Sequence, residues 1–335
     1  MALGFALIVV GCAALCALLI VALRPLLGRY ALARPNARSS HREPTPQGGG
    51  IAVFAAMTIV MALGAVLVPG FLSDAPRLAV VFAALIGLAV VGATDDVWPL
   101  AAAPRLLLQA IAAAIVMATL PAELRIFDAL PWWIERALLL VGMVWFVNLV
   151  NFMDGIDWIV VAEVVPLSAA LIVIGVLGGL PGDATMVALA LLGAILGFAP
   201  FNKPVAQLFL GDVGSLPLGL LLAWLLVLVA GNGHIVAAIL LPLYFIADAT
   251  ITLLRRTVAG ESIITAHRSH FYQRATDGGL KVIEIVGRVF AVNVGLALLA
   301  LGTMLTASRT VHLGALATGC VLVGLLLRRF ARGKR

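Results

Sequence analysis

Several short stretches of this chain put carboxylates beside amides or basic groups, each at the edge of a long apolar run. Asp95-Asp96 close one run and are followed by Arg105. Asn148, Asn151, Asp154 and Asp157 fall in the stretch Asn148–Trp158, which separates two others. Lys203 precedes Gly211-Asp212-Val213-Gly214-Ser215, and His267-Arg268-Ser269-His270 leads into Arg274. Arg38, His41 and Thr45-Pro46-Gln47-Gly48-Gly49-Gly50 come earlier in the chain. Carboxylate and amide oxygens are hard donors that suit a Mg²⁺ ion bridging phosphates, with Mn²⁺ as an alternative. Glycines around Asp212 allow backbone amides to approach a phosphate while the carboxylate meets a cation. Lys and Arg neutralise the remaining phosphate charge.

Each stretch also has a plain structural reading. Asp95-Asp96 could be a solvated helix end, although two carboxylates at a helix C-terminus oppose the macrodipole unless a cation is present. Asp154 and Asp157 share one face if their segment is helical. Gly211–Ser215 could be a turn before a helix, and Gly48–Gly50 either a flexible entry to a helix or a surface for close backbone approach. His267 and His270 are too few for a zinc site and fit phosphate or sugar contacts better. Asp248, inside an apolar run, reads as a structural partner of Thr252 or Arg255.

The elements that must carry these residues are membrane helices. The chain is 63% hydrophobic and 11% charged, with a mean hydropathy of +1.15, whereas soluble domains are about a quarter charged. A charge at the bilayer centre costs ~2.5–3.5 kcal/mol, so the acids belong at a surface where spans meet. Runs of the ~17–25 residues needed to cross a bilayer predict an all-α polytopic protein with about eleven spans. These are 3–27, 50–69, 77–94, 104–120, 136–152, 158–179, 184–200, 216–230, 234–254, 286–306 and 310–327, in one multi-span domain over 1–335. The first run has no basic flank or cleavage site and reads as a retained span. Cys12, Cys16 and Cys320 lie in apolar runs and read as packing residues.

Alternation of spans puts 18 of the 22 Lys and Arg on one side. The positive-inside rule makes that side cytoplasmic, with the N-terminus out and the C-terminus in. The formal charge of +6 comes from this asymmetry and implies contact with anionic lipid, not nucleic acid. Loops 28–49, 95–104, 153–157, 201–215 and 255–287 then share the cytoplasmic face and form one site. A transporter or flippase for a lipid-linked or nucleotide sugar is the alternative, but transporters place ionisable residues near the midplane.

In this order and spacing the motifs resemble the polyprenyl-phosphate N-acetylhexosamine-1-phosphate transferases, the family of bacterial O-antigen-initiating enzymes and phospho-MurNAc-pentapeptide transferase. The resemblance runs from Arg38 to Arg274. It is carried by Thr45-Pro46 with the glycines, Asp95-Asp96 with Pro104-Arg105, Asn151–Asp157, Phe209–Leu216 and His267–Arg274. The histidine stretch is similar to the O-antigen branch. Trp158 departs from the family pattern, standing where Gly usually follows the second Asp.

The resemblance implies transfer of HexNAc-1-phosphate from a UDP-sugar to polyprenyl phosphate, releasing UMP, at the bacterial inner membrane. Such a step starts a cell-envelope polysaccharide, and family members can form homodimers. By the same resemblance Asp212 and the Asn151 oxygen ligate Mg²⁺, and Asp95 or Asp96 deprotonates or aligns the lipid phosphate. Asp154 and Asp157 orient the nucleotide with Lys203 nearby. His267, His270 and Arg274 contact sugar and diphosphate, and Asn148, Arg105, Gly214 and Ser215 complete the substrate contacts.

Overall fold

The computed structural model of the protein describes residues 2–33, 44–262 and 267–334; Arg38 and His41 lie outside them. Its helices are α1 (Ala2–Tyr30), α2 (Gly49–Leu67), α3 (Ala75–Val97), α4 (Ala102–Ala118), α5 (Trp132–Met153), α6 (Ile159–Val176) and α7 (Gly182–Phe198). They continue as α8 (Asp212–Gly231), α9 (Ile235–Leu240), α10 (Leu243–Val258), α11 (Phe271–Asp277), α12 (Val282–Met304) and α13 (Arg309–Arg332). Two short strands, β1 (Leu32–Ala33) and β2 (Thr45–Pro46), pair antiparallel beside the end of α1.

Every expected apolar run is helical, and the molecule is an all-α, multi-span membrane protein. Among the described residues eight helices, α1, α2, α3, α5, α6, α8, α12 and α13, are long and apolar enough to cross a bilayer, while α4 and α7 are shorter apolar helices. The run 234–254 differs from expectation. It is not one span but α9 and α10, broken at Leu241-Pro242, where the proline offers no N–H to continue the helix. Cys12 and Cys16 are buried as packing residues, but Cys320 is exposed on α13. Its apolar setting is the outer surface of the bundle, not the core.

The bundle is built around α8, the most enclosed span, with α2, α3, α5 and α9 packed on it. A helix apolar on every side has no solvent face and belongs in the middle. Glycine sets the closeness of these contacts. A Cβ at Gly219 of α8 would lie 2.7 Å from the Val147 Cα of α5, and one at Gly92 of α3 would lie 2.2 Å from the Asp212 carbonyl oxygen. On the flank, α1 crosses α7 over Gly193 and Gly197, four residues apart, where small residues let backbones touch without a lipid layer between.

The two ends of the bundle use their polar groups differently. At one end Asp183 accepts from the Ser73 and Asp74 amides at 2.8 Å each, and Glu135 binds Arg125 and the Ile126 amide. Those carboxylates are consumed in joining loops. The other end gathers the first turns of α2, α6 and α8 and the last turns of α3 and α5, and the acids there are arranged differently.

Candidate active site

The site is floored by the segment 207–215. Gln47 bridges Phe209, and the Gly49 and Gly50 amides donate to the Phe209 and Leu210 carbonyls at 2.9 Å. A Cβ on Gly50 would sit 2.1 Å from the Gly214 Cα. The glycines of 48–50 are thus a close-approach surface between α2 and α8, not a flexible entry. Gly211 enters α8 with φ 76°, in the left-handed region that glycine adopts without cost. Gly214 packs against the Leu210 side chain and Gly50, and its amide donates to the Gly211 carbonyl at 2.9 Å.

Asp96 reaches from the end of α3 to the start of α8. Its two carboxylate oxygens accept from the Asp212 and Val213 amides at 3.0 and 3.1 Å. The sequence set this carboxylate against the macrodipole of its own helix; the structure places it at the positive end of another. Asp95 accepts from the Leu100 amide at 2.6 Å and pairs with Arg105 at 2.8 Å. Both acids are therefore held by donors.

Asp212 lies in the first turn of α8, within hydrogen-bonding reach of the Asp95 carboxylate. Across from it the Asn151 amide donates to Asp212 at 2.7 Å and to the buried Ser215 hydroxyl at 2.9 Å. Asp154 stands beyond the end of α5, and no hydrogen-bond donor among the described residues reaches its carboxylate. Burial, reinforced by the charges of Asp96 and Asp157, pushes its pKa up to about 7. Asp95, Asp96, Asp154 and Asp212 share one end of the bundle as a carboxylate cluster with Arg105 as its ion-paired cation.

Asp157 turns away from that cluster and accepts from the Ala206 amide at 3.0 Å. With Arg24, Lys203 and Lys281 it lines a cleft of about 940 Å³ beside α1 and α12. Trp158 follows at φ 62°, a left-handed conformation that costs a bulky residue about 1–2 kcal/mol. Its amide donates to Asn202 at 2.8 Å and its indole N–H to the Ala199 carbonyl at 2.6 Å. Hydrogen bonding thus holds a tryptophan in a backbone position suited to glycine. Asn148 is not in the cluster: it is buried and donates to Gln109 of α4 at 2.6 Å and to the Val144 carbonyl. It joins helices instead of facing a ligand.

The histidine segment closes the site from the α10–α11 side. The Tyr272 hydroxyl donates to the Phe152 carbonyl at 3.0 Å, and a Cβ at Gly155 would collide with that hydroxyl at 2.1 Å. His267 and His270 lie with ring centroids 5.0 Å apart. Arg274 and Arg255 both pack on the Phe271 ring, and with Arg256 and Arg268 they line a cavity of about 330 Å³. Asp248 bonds Thr252 as expected, but not Arg255; its stronger partners are on α11. Sequence reading passed over Gln109, Tyr272 and Arg256, and gave Arg255 only a structural role; the doubled arginine at the end of an apolar run was the available signal.

Among the described residues, no three His, Cys, Asp or Glu side chains form a ready metal cage. The donor set fits a different mode. Asp212 could hold a hard cation that takes its other ligands from phosphate and water, with the Asn151 oxygen joining it once that amide, whose nitrogen here faces Asp212, turns over, and the adjacent carboxylates favour that positive charge.

A many-helix membrane protein with a carboxylate and amide cluster at one end of the bundle is a class suited to phosphate chemistry at a lipid surface. Residues 78–230 match the model of glycosyl transferase family 4. It is 26% identical over 307 residues, 82% of this chain and 81% of the other, to the probable undecaprenyl-phosphate N-acetylglucosaminyl 1-phosphate transferase of Bacillus subtilis. It is 29% identical over 280 residues, 73% of this chain and 68% of the other, to the decaprenyl-phosphate N-acetylglucosaminephosphotransferase of Mycobacterium tuberculosis. A 98-residue stretch, 29% of this chain and 30% of the other, is 38% identical to the phospho-N-acetylmuramoyl-pentapeptide-transferase of Limosilactobacillus fermentum.

Proposed function

We propose that this protein is a polyprenyl-phosphate sugar-1-phosphate transferase that takes HexNAc-1-phosphate from a UDP-sugar and releases UMP. The observation that carries the reading is the junction of Asp96, Asp212 and Asn151 at the entry of α8, at the same end of the bundle as Asp154. Relatives that act on undecaprenyl and decaprenyl phosphate support it. The charge bias of the loops supports a cytoplasmic site at a bacterial inner membrane, and the form of the histidine segment supports a first step in an O-antigen-like polymer.

An oxygen of the lipid phosphate attacks the β-phosphorus of the UDP-sugar, the bond from that phosphorus to the bridging oxygen breaks, and UMP leaves. Positioning and charge carry such a reaction. Asp212 and the Asn151 oxygen would hold Mg²⁺, or Mn²⁺, which supplies charge neutralisation on the diphosphate when bound. Asp96 fixes the α8 entry that aims Asp212. Asp95 holds Arg105 at the edge of the cluster, where it can meet a phosphate. A phosphate's second pKa near 6 leaves the lipid largely dianionic at neutral pH, so no protein base is required. His267, His270 and Arg274 face the sugar-diphosphate side, and Asp157 with Lys203 borders the nucleotide side.

Purified protein incubated with polyprenyl phosphate and a panel of UDP-sugars should release UMP only when Mg²⁺ or Mn²⁺ is present. Asp212→Ala should abolish that release while leaving insertion and purification intact. Transport of a sugar nucleotide into sealed vesicles without UMP would overturn the reading in favour of a transporter.

A further inference from the structure

Asp248 lies in the middle of an apolar segment, fully buried, and the reaction above gives it no task. An intramembrane carboxylate without a partner is costly, and this one has five. Its Oδ1 accepts from the Phe271 amide at 2.9 Å and from Thr252 Oγ1 at 3.4 Å, and lies 3.3 Å from His270 Nδ1. Its Oδ2 accepts from the Tyr272 amide and the Tyr244 hydroxyl, both at 3.2 Å. The Phe271 and Tyr272 amides can only donate, one to each carboxylate oxygen. With both oxygens accepting from backbone amides, the His270 Nδ1 that faces Oδ1 is placed as a further donor to it.

The rest of the setting leaves the other ring nitrogen uncommitted. His270 is 2% exposed. Its ring stacks on Tyr272 at 5.8 Å and lies 6.2 Å from Phe152, the residue after Asn151. No donor or acceptor among the described residues reaches Nε2. The Tyr272 hydroxyl ties this pair to the Phe152 carbonyl and so to the Asn151–Asp154 turn.

We propose that Asp248 is a positioning residue that locks His270 as the Nδ1–H tautomer, so that Nε2 is the atom presented to the sugar-diphosphate. The inference rests on the reading of His270 as a substrate contact. In Asp248→Asn the side-chain amide can donate to Nδ1 and draw the ring hydrogen to Nε2, reversing what the ring presents. Partners that orient a functional histidine are typically worth about 10–100-fold, and a fall of that size in kcat/KM for UDP-N-acetylglucosamine is expected.

Two measurements on the full-length protein in detergent test this. Nitrogen NMR of labelled histidines, with His270 assigned by its loss in His270→Gln, should show Nδ1–H in the wild type and Nε2–H in Asp248→Asn. A double-mutant cycle on kcat/KM should show Asp248→Asn/His270→Ala no worse than His270→Ala alone; additive losses would make Asp248 merely structural and overturn the proposal. An Nε2–H tautomer in the wild type would overturn it as well. Should Asp248→Asn fail to fold, Asp248→Glu, which keeps the acceptor, replaces it and should retain Nδ1–H with partial activity; loss of Nδ1–H there would refute the lock. Full activity in His270→Ala would remove the histidine from the substrate reading itself, and the proposal with it. Loss in His270→Ala with none in Asp248→Asn leaves that reading standing and removes only the lock.

Discussion

Replacing Asp96 separates a carboxylate that acts on substrate from one that builds the site. Its two oxygens hold the first two amides of α8 at 3.0 and 3.1 Å, and Gly211, the residue before that helix, has no side chain with which to replace them. A hydrogen bond to a charged group is worth about 1.5–3 kcal/mol when lost, and an N-terminal cap about 0.5–2. Because the two bonds share one carboxylate and water can reach part of the site, about 3 kcal/mol for Asp96→Ala is a fair combined figure. Asp96→Asn keeps one acceptor but turns an N–H toward the other amide, so it should lose at least half as much. The assay is thermal unfolding of the purified protein in detergent, followed beside UMP release. Both variants should melt several degrees below the wild type, and activity should fall in step as Asp212 loses its aim. Wild-type melting of Asp96→Ala with no turnover would refute the reasoning, because the carboxylate would then be serving the reacting phosphates and not the helix.

Three further outcomes follow from the same geometry. Trp158→Gly should relieve about 1–2 kcal/mol of left-handed strain but lose an indole hydrogen bond of about 1 kcal/mol and the ~2 kcal/mol or more from burying part of a large ring. A lower melting temperature is expected, and a higher one would show that the strain dominates. Asp154 has a folded pKa pushed up to about 7, against about 4 in an unfolded chain. The folded state binds its proton more tightly, so this contribution is complete below pH 4 and is lost as pH rises to about 7. Ligand-free Asp154→Asn should remove that decline from a melting-against-pH series, and an unchanged slope would mean that Asp154 is not its source. Gly50→Ala, with its Cβ 2.1 Å from the Gly214 Cα, should abolish activity and lower stability, whereas Gly87→Ala, with nothing within 4 Å, should be tolerated; equal behaviour of the two would contradict the α2–α8 contact.

The apolar runs made the helices legible, because span length and hydrophobicity are properties of the chain itself. The short expected span 216–230 is part of the most enclosed helix; a segment apolar on every side has no periodicity to read, and only its length shows in the sequence. Pro242 was visible, yet its break was not expected within a run that stays apolar on both sides. The clustering of Asp95, Asp96, Asp154 and Asp212 was inferable from alternation of spans. The direction of each side chain was not. Asn148 and Asn151 lie three residues apart on α5, and only packing decides that one meets Gln109 and the other Asp212. Asp248 looked like a local helix partner because its main contacts come from 22 to 24 residues later.

The central place of α8 bears on how the protein is made. Of the helices packed on it, α2, α3 and α5 are synthesised earlier, and α9 follows. The slot that receives α8 can be assembled before this segment leaves the insertion machinery. Asp96 would then wait at the rim for the amides it binds, and the nascent site would acquire its floor in a single insertion event.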